Sequence, residues 1–126
     1  MNAELESDAA WVARLLRESD VAVALTGAGM STASGIPDFR GDDGIWNSEF
    51  DPQSFHRDRF VNDPAGFWQE RVHLHERMFP DHVSPNPGHD TLASLESLGV
   101  LDAVVTQNTD GLHRESGSDH VVELHG

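Results

Sequence analysis

Residues 21–35 read VAVALTGAGMSTASG, and the two halves of this stretch have opposite requirements. Val21–Thr26 is a continuous apolar run, long enough for a buried strand and too short for a helix. Gly27-Ala28-Gly29 then interrupts it. A first glycine permits a sharp turn off the strand, and a second lets the backbone approach a pyrophosphate with no Cβ in the way. A helix beginning around Met30–Ser34 would aim free N–H groups at such an anion, with Ser31, Thr32 and Ser34 as hydroxyl donors. A plain strand-to-helix turn has the same outline. Thr32 also stands where the dinucleotide pattern G-x-G-x-x-G would carry its third glycine.

Outward from this stretch, the periodicity alternates between helix and strand. Leu5, Ala9, Val12, Leu15 and Leu16 sit at helical spacing and predict an amphipathic opening helix over 5–17. Asp51-Pro52 and Asp63-Pro64 are both N-cap-plus-proline starts, the second opening a helix with Phe67, Trp68, Val72, His75 and Phe79. The breaker cluster SPNPG (84–88) leads into a helix with Leu92, Leu95 and Leu98, closed by Gly99. LDAVVT (101–106) and HVVEL (120–124) read as two further buried strands. Strands separated by helical stretches predict an α/β fold, a parallel sheet with crossover helices. No linker rich in Gly and Ser divides the chain, so residues 1–126 read as a single domain.

Composition narrows the partners. The 126 residues carry a formal net charge of −14, with 37% hydrophobic residues. All eight basic residues are arginines, and Ile36 and Ile45 are the only isoleucines. An acidic surface stripped of lysine suits concentrated salt, where the Debye length falls to about 3 Å at 1 M and self-repulsion is screened. Such a surface has no positive stripe for a nucleic-acid backbone. It would attract a basic, lysine-bearing substrate at low salt. No apolar run approaches the roughly 18 residues of a membrane span, and the acidic N-terminus lacks the basic region of a secretory signal. A cytoplasmic location with no membrane contact is the expectation. The chain has no cysteine, which excludes disulfides and thiolate zinc sites within it.

Three stretches carry candidate chemistry. Ile36-Pro37-Asp38-Phe39-Arg40 offers a rigid turn, an acid, an aromatic face and a cation, although a surface loop with an Asp–Arg pair would look alike. Gln107-Asn108-Thr109-Asp110 lies at the C-terminal end of a predicted strand, where open α/β sheets bind ligands. Amides and a carboxylate there can read a ribose and a carboxamide, or can cap the next helix as an Asx turn. His125 follows the last predicted strand, and imidazole is the side chain whose ordinary pKa suits proton abstraction near neutrality.

Four blocks in this order, GAGMSTASGIPDFRG, SPNPGHDTLASLESLG, TQNTDGLHRESG and VVELHG, closely resemble the sirtuin family of NAD-dependent protein deacylases. The match runs from about Val21 to Gly126. The resemblance implies a Rossmann-like sheet, here a partial sirtuin catalytic domain. It implies that NAD's pyrophosphate and adenosine side lies on Gly27, Ala28, Gly29, Ser31 and Thr32. Ile36, Pro37, Asp38, Phe39 and Arg40 would form a mobile cofactor loop, with Trp46 beside it. Phe39 would shield the reactive sugar carbon, and Gln107, Asn108, Thr109 and Asp110 would hold the ribose and nicotinamide amide. His125 would be the catalytic base. The family reaction moves the acyl group of an acetylated lysine in a protein to ADP-ribose and releases nicotinamide.

The departures also imply something. The family usually has isoleucine at the position of Thr109, which removes an apolar contact. No tyrosine is present to read an acyl carboxylate, so an uncharged acyl group is expected. The family's zinc ribbon, with its four cysteines and structural zinc, would follow Gly126 and is absent here. A chain stopping directly after its base is expected to fall short of full catalysis alone, and an uncovered sheet edge invites self-association. The rivals are a sirtuin-like NAD glycohydrolase and a catalytically inactive NAD-binding fragment. A dehydrogenase is disfavoured, since no acidic ribose reader follows a second strand about 20 residues on.

Overall fold

A computed structural model describes residues 3–47 and 49–126, and the chain separates into two compact units. One comprises the chain up to Gly27 together with Pro87–Gly126; the other is Ala28–Asn86. Both boundaries fall inside motif blocks rather than in a linker.

The first unit carries a three-stranded parallel sheet in the order β1 (Val23–Thr26), β2 (Ala103–Thr106), β3 (Val121–Glu123). Register pairs Val23 with Ala103 and Thr26 with Thr106, then Val104 with Val121 and Thr106 with Glu123. The parallel α/β architecture expected from the alternating periodicity is therefore present. Helix α1 (Ala3–Glu18) precedes the sheet, α4 (Pro87–Ser97) leads into β2, and the one-turn α5 (Leu112–Glu115) links β2 to β3.

Burial departs from the expected pattern of strands enclosed on both faces. Leu101, Val104 and Val121 form the core, packed by Ala22, Ala24, Leu92 and Leu95. Alternation along a strand sends neighbours to opposite faces. The face bearing Ala24 and Val104 is thus covered by α4, whereas Val23 and Leu25 remain 53% and 70% exposed. Helix α1 has no buried residue, and Leu5, Trp11, Val12 and Leu15 are all exposed. Its amphipathic stripe is real in sequence but meets no core among the described residues.

Helix α4 ends one residue earlier than its leucine stripe. Leu98 lies beyond Ser97 and is exposed. The chain closes there through Gly99 N donating to Glu96 O (2.9 Å) and Val100 N to Leu95 O (3.1 Å). Gly99 has φ of +73°, which only glycine adopts without strain, as its C-cap role requires. Glu96 then accepts from Asp119 N (3.1 Å), His120 N (2.8 Å) and the His120 ring (Nδ1, 2.8 Å), tying α4 to the start of β3. Bonding of the His120 backbone N–H, with the ring and Asp119 adding to it, holds the Glu96 carboxyl below the usual range against the opposing effect of burial.

The second unit is helical. Asp51 accepts from Gln53 N (2.9 Å) and starts a 3-10 turn, Pro52–Phe55, while Asp63 accepts from Gly66 N (3.0 Å) and starts α3 (Pro64–Met78). Both predicted starts are present. A short helix α2 (Arg57–Asn62), which the periodicity does not reveal, precedes α3. The core is Ile45, Phe50 and Leu74, with Trp46, Phe55 and Met78 against it. Leu74 lies outside the expected stripe of α3, whereas Trp68 and Val72 from that stripe are exposed. Helix α3 meets the aromatic cluster through Phe67, which packs on Phe55 and Phe60, and through Leu74 and Met78 on the same face, rather than through Trp68 and Val72.

Candidate functional site

The C-terminal ends of β1 and β2 are locked together. Gln107 N donates to Thr26 O (3.0 Å), and Asn108 Nδ2 donates to Gly27 O (2.9 Å). Asn108 N donates to Thr106 Oγ1 (3.0 Å), which also accepts from Thr26 Oγ1 (2.8 Å). Leu124 N donates to Thr106 O (2.9 Å), bringing the end of β3 to the same edge. Parallel strands end together, so three backbone segments that are distant in the chain present their polar termini side by side. Gly27, Gln107 and Asn108 are thereby brought into one edge.

Asp110 serves as a cap: Oδ1 accepts from Leu112 N (3.0 Å) and fixes the start of α5, while Gly111 supplies the left-handed turn at φ +73°. The Asx-turn outline of this stretch is therefore realised alongside any ligand-reading use of its amides. Thr109 is exposed. The last strand is shorter than predicted, Val121–Glu123 rather than 120–124, and His125 lies exposed in the turn that follows it.

Two histidines that sequence reasoning left aside sit beneath this edge. His89 and His113 are 0% and 2% exposed, with ring centroids 4.9 Å apart in edge-on contact. His113 Nε2 lies 2.8 Å from Thr26 Oγ1. Burial pushes both imidazoles below the ordinary value of 6.5. His89 lowers His113 further, while Asp110 opposes the shift at both and Asp90 opposes it at His89. No periodicity announces these residues. The nearest signal is their place within two of the four sequence blocks.

In the second unit the glycine stretch forms two 3-10 turns, Ala28–Met30 and Thr32–Ser34, rather than the expected single helix. Ser31 separates them, 1% exposed, with its carbonyl accepting from Ser34 N (3.0 Å) and Ile36 N (3.3 Å). Thr32 Oγ1 donates to Gly29 O (3.1 Å), so its hydroxyl hydrogen is used locally. Asn86, inside the predicted breaker cluster, donates to Met30 O (2.8 Å) and Ser34 Oγ (2.9 Å) and staples the turns. An amide flanked by prolines gave no sequence sign of this role.

The two leading glycines are informative because nothing in the fold demands them. Neither Gly27 nor Gly29 has a positive φ, so the expected sharp-turn requirement is not what selects glycine here. A Cβ on Gly29 would meet nothing within 4 Å, and one on Gly27 would make only ordinary contact with Gln107 Nε2 at 3.7 Å. Space is left in front of the backbone at both positions.

In the adjoining loop, Ile36 is buried, Pro37 is half-buried, and Arg40 is exposed and forms no ion pair among the described residues. Asp38 Oδ1 accepts from Gly41 N (3.0 Å) instead of pairing with Arg40. Phe39 packs against Trp46 with ring centroids 5.3 Å apart, and Trp46 N donates to Phe39 O (3.1 Å). Phe39, Trp46 and Asp38 are thus organised as one loop.

Among the described residues, no helix is long and apolar enough to cross a membrane. The Sir2 family model matches residues 27–126. An NAD-dependent protein deacetylase of Haloarcula marismortui is 60% identical over 91% of this chain and 44% of its own length. An NAD-dependent protein deacylase of Aeropyrum pernix is 50% identical over 94% of this chain and 48% of its own length. A Sir2 structure with a deacetylated p53 peptide and 3'-O-acetyl ADP ribose superposes at TM-score 0.78 with 46% identity, covering 88% of this chain and 44% of that one. A Sir2 complex with p53 peptide and NAD+ superposes at TM-score 0.74 with 44% identity, over 91% and 44%. The chain spans about half the length of the curated relatives it matches. On a match that covers all four sequence blocks, and on a fold shared with solved Sir2 structures, this chain belongs to the Sir2 family.

Proposed function

We propose that this chain is the NAD-binding part of an NAD-dependent protein deacetylase, which transfers the acyl group of an acetylated lysine to ADP-ribose and releases nicotinamide. The observation that carries this reading is the unfilled space before Gly27 and Gly29, where glycine answers no need of the backbone or its neighbours. Glycine at such positions lets a pyrophosphate approach backbone N–H groups, an approach that a Cβ would block. The solved Sir2 structures that hold NAD+ and acetyl ADP ribose share this fold and support the assignment.

In this reading Gly27, Ala28 and Gly29 face the pyrophosphate, with Ser31 and Thr32 shaping the turn behind it. Phe39 and Trp46 supply an aromatic face, Pro37 and Asp38 set the loop, and Arg40 is an exposed cation available to a phosphate. Gln107, Asn108 and Asp110 hold the ribose and carboxamide, and Thr109 contributes through its backbone. His125 acts as general base on a ribose hydroxyl, from the exposed turn that follows β3. When bound, NAD supplies the ribose carbon to which the acyl oxygen is transferred. The protein's part is to bind, orient and deprotonate.

The acyl-lysine protein, an uncharged acyl group, a cytoplasmic setting and a salt-adapted surface belong to the same proposal. The charge of −14 without lysine supports the last, as does the relative in Haloarcula marismortui. The test is one incubation in molar potassium chloride with NAD and an acetyl-lysine peptide, followed by mass spectrometry. Peptide deacetylation in step with nicotinamide release establishes the activity. Nicotinamide release without deacetylation makes the protein a glycohydrolase, and absence of both overturns catalysis by this chain alone.

A further inference from the structure

We propose that His113 is a positioning residue for Asn108, acting through the hydroxyls of Thr26 and Thr106. This rests on the reading of Gln107–Asp110 as the ribose and nicotinamide segment. Three contacts make a continuous path: His113 Nε2 to Thr26 Oγ1 at 2.8 Å, Thr26 Oγ1 to Thr106 Oγ1 at 2.8 Å, and Asn108 N to Thr106 Oγ1 at 3.0 Å. Two of the four residues on this path, Thr106 and His113, are no more than 2% exposed.

Counting protons gives the path a direction. His113 Nδ1 is buried with no hydrogen-bond partner among the described residues, and an unpaired N–H there is tolerated less well than an unpaired lone pair. His113 therefore carries its proton on Nε2 and donates to Thr26 Oγ1. The Thr26 hydrogen then goes to Thr106 Oγ1, which also accepts from Asn108 N. The titratable groups acting on the ring are His89 from α4 and Asp110 from the loop, and the ring's neutrality follows from its burial beside His89.

Without the imidazole donor, the two threonine hydroxyls can exchange donor and acceptor roles, and Thr106 no longer holds one fixed lone pair toward Asn108. Asn108 also donates from Nδ2 to Gly27 O, so its placement ties the amide segment to Gly27, directly after β1, within the edge. A side chain that touches no ligand thus fixes the residue that would.

The experiment compares His113→Phe, which keeps a ring but donates nothing, with His113→Gln, whose amide can donate from about the Nε2 position. Amide hydrogen exchange of the ligand-free full chain is read at Asn108 and, as a control, at Val104 in β2. NAD affinity is read by calorimetry. The loss of one oriented hydrogen bond predicts an NAD affinity weaker by about three- to tenfold in His113→Phe. Faster exchange is expected at Asn108 but not at Val104, with both readouts restored in His113→Gln to within about twofold of the parent. Thr26→Val, which removes the relay hydroxyl in nearly the same shape, should accelerate Asn108 exchange equally and serves if His113→Phe does not fold. Unchanged Asn108 exchange in Thr26→Val, or His113→Gln behaving like His113→Phe, overturns the proposal. If the parent chain binds no NAD, the functional reading fails, while the exchange comparison still decides the relay.

Discussion

The rings of His89 and His113 meet edge-on with their centroids 4.9 Å apart, one ring from α4 and the other from α5, and neither has more than 2% of its surface in water. Two imidazoles so close and so dry cannot both take protons without like-charge repulsion added to desolvation. The folded protein therefore prefers both neutral.

That preference sets a pH dependence. Both pKa values are lowered in the folded state from the ordinary 6.5, so the unfolded chain binds these protons more readily. Stability from the pair is fully present above about pH 6.5 and is lost as the pH falls below it, toward the depressed folded values. The limiting slope is about 1.4 kcal/mol per pH unit for each proton taken up on unfolding. Denaturant titrations from pH 8 to pH 5 should show this fall, and His113→Gln should show about half of it. Glu96, whose pKa is lowered chiefly by its bond from the His120 backbone N–H and further by the His120 ring and Asp119, adds a separate loss at lower pH, as its carboxylate protonates below about 4.5.

Two glycines distinguish binding from folding. A Cβ on Gly44 would lie 2.8 Å from the backbone of Arg40 and Gly41, atoms that cannot turn aside. Gly44→Ala should cost about 1–3 kcal/mol and displace the Phe39–Trp46 loop, read as a lowered melting temperature. Gly29→Ala, with nothing within 4 Å, should melt within about 0.5 kcal/mol of the parent yet lose tenfold or more in NAD affinity. A Gly29→Ala protein that binds NAD normally would remove the main support for the dinucleotide site.

His125→Ala should abolish deacetylation while NAD affinity changes less than about twofold, because a base acts after binding. Its exposed position in the turn after Glu123 predicts no loss of stability on substitution. Parallel losses of affinity and rate would make it a binding residue instead.

Salt should stabilise the chain. Charges totalling −14 repel across a small surface, and the sheet face bearing Val23, Leu25 and Val122 is open. Melting temperature is expected to rise between 0.1 M and 2 M potassium chloride, with self-association detectable by light scattering at the low end. A cooperative melt of a monomer, unchanged by salt, would contradict both the salt-adapted surface and the sticky face.

Much of this protein is written in contacts between near neighbours in the chain, and those were legible. Asp51 and Asp63 cap the residues two or three positions on, Gly99 closes α4 with a left-handed turn, and alternating periodicity announces a parallel α/β sheet. Each depends on a side chain's own stereochemistry or on an atom within one turn of it. The sheet's open face, the exposed stripe of α1 and the inward turn of Leu74 were not legible, because an apolar residue carries no mark of whether anything covers it. Nor was the relay from His113 through Thr26 and Thr106 to Asn108, whose first two members lie 87 residues apart. The sequence alone determined the family blocks, the caps and the candidate ligand edge, since these rest on residue type and short spacing. Only the tertiary structure decided which histidines are buried and which backbone atoms Asn86 and Asn108 hold, because those bonds exist only once parallel strands have aligned their ends.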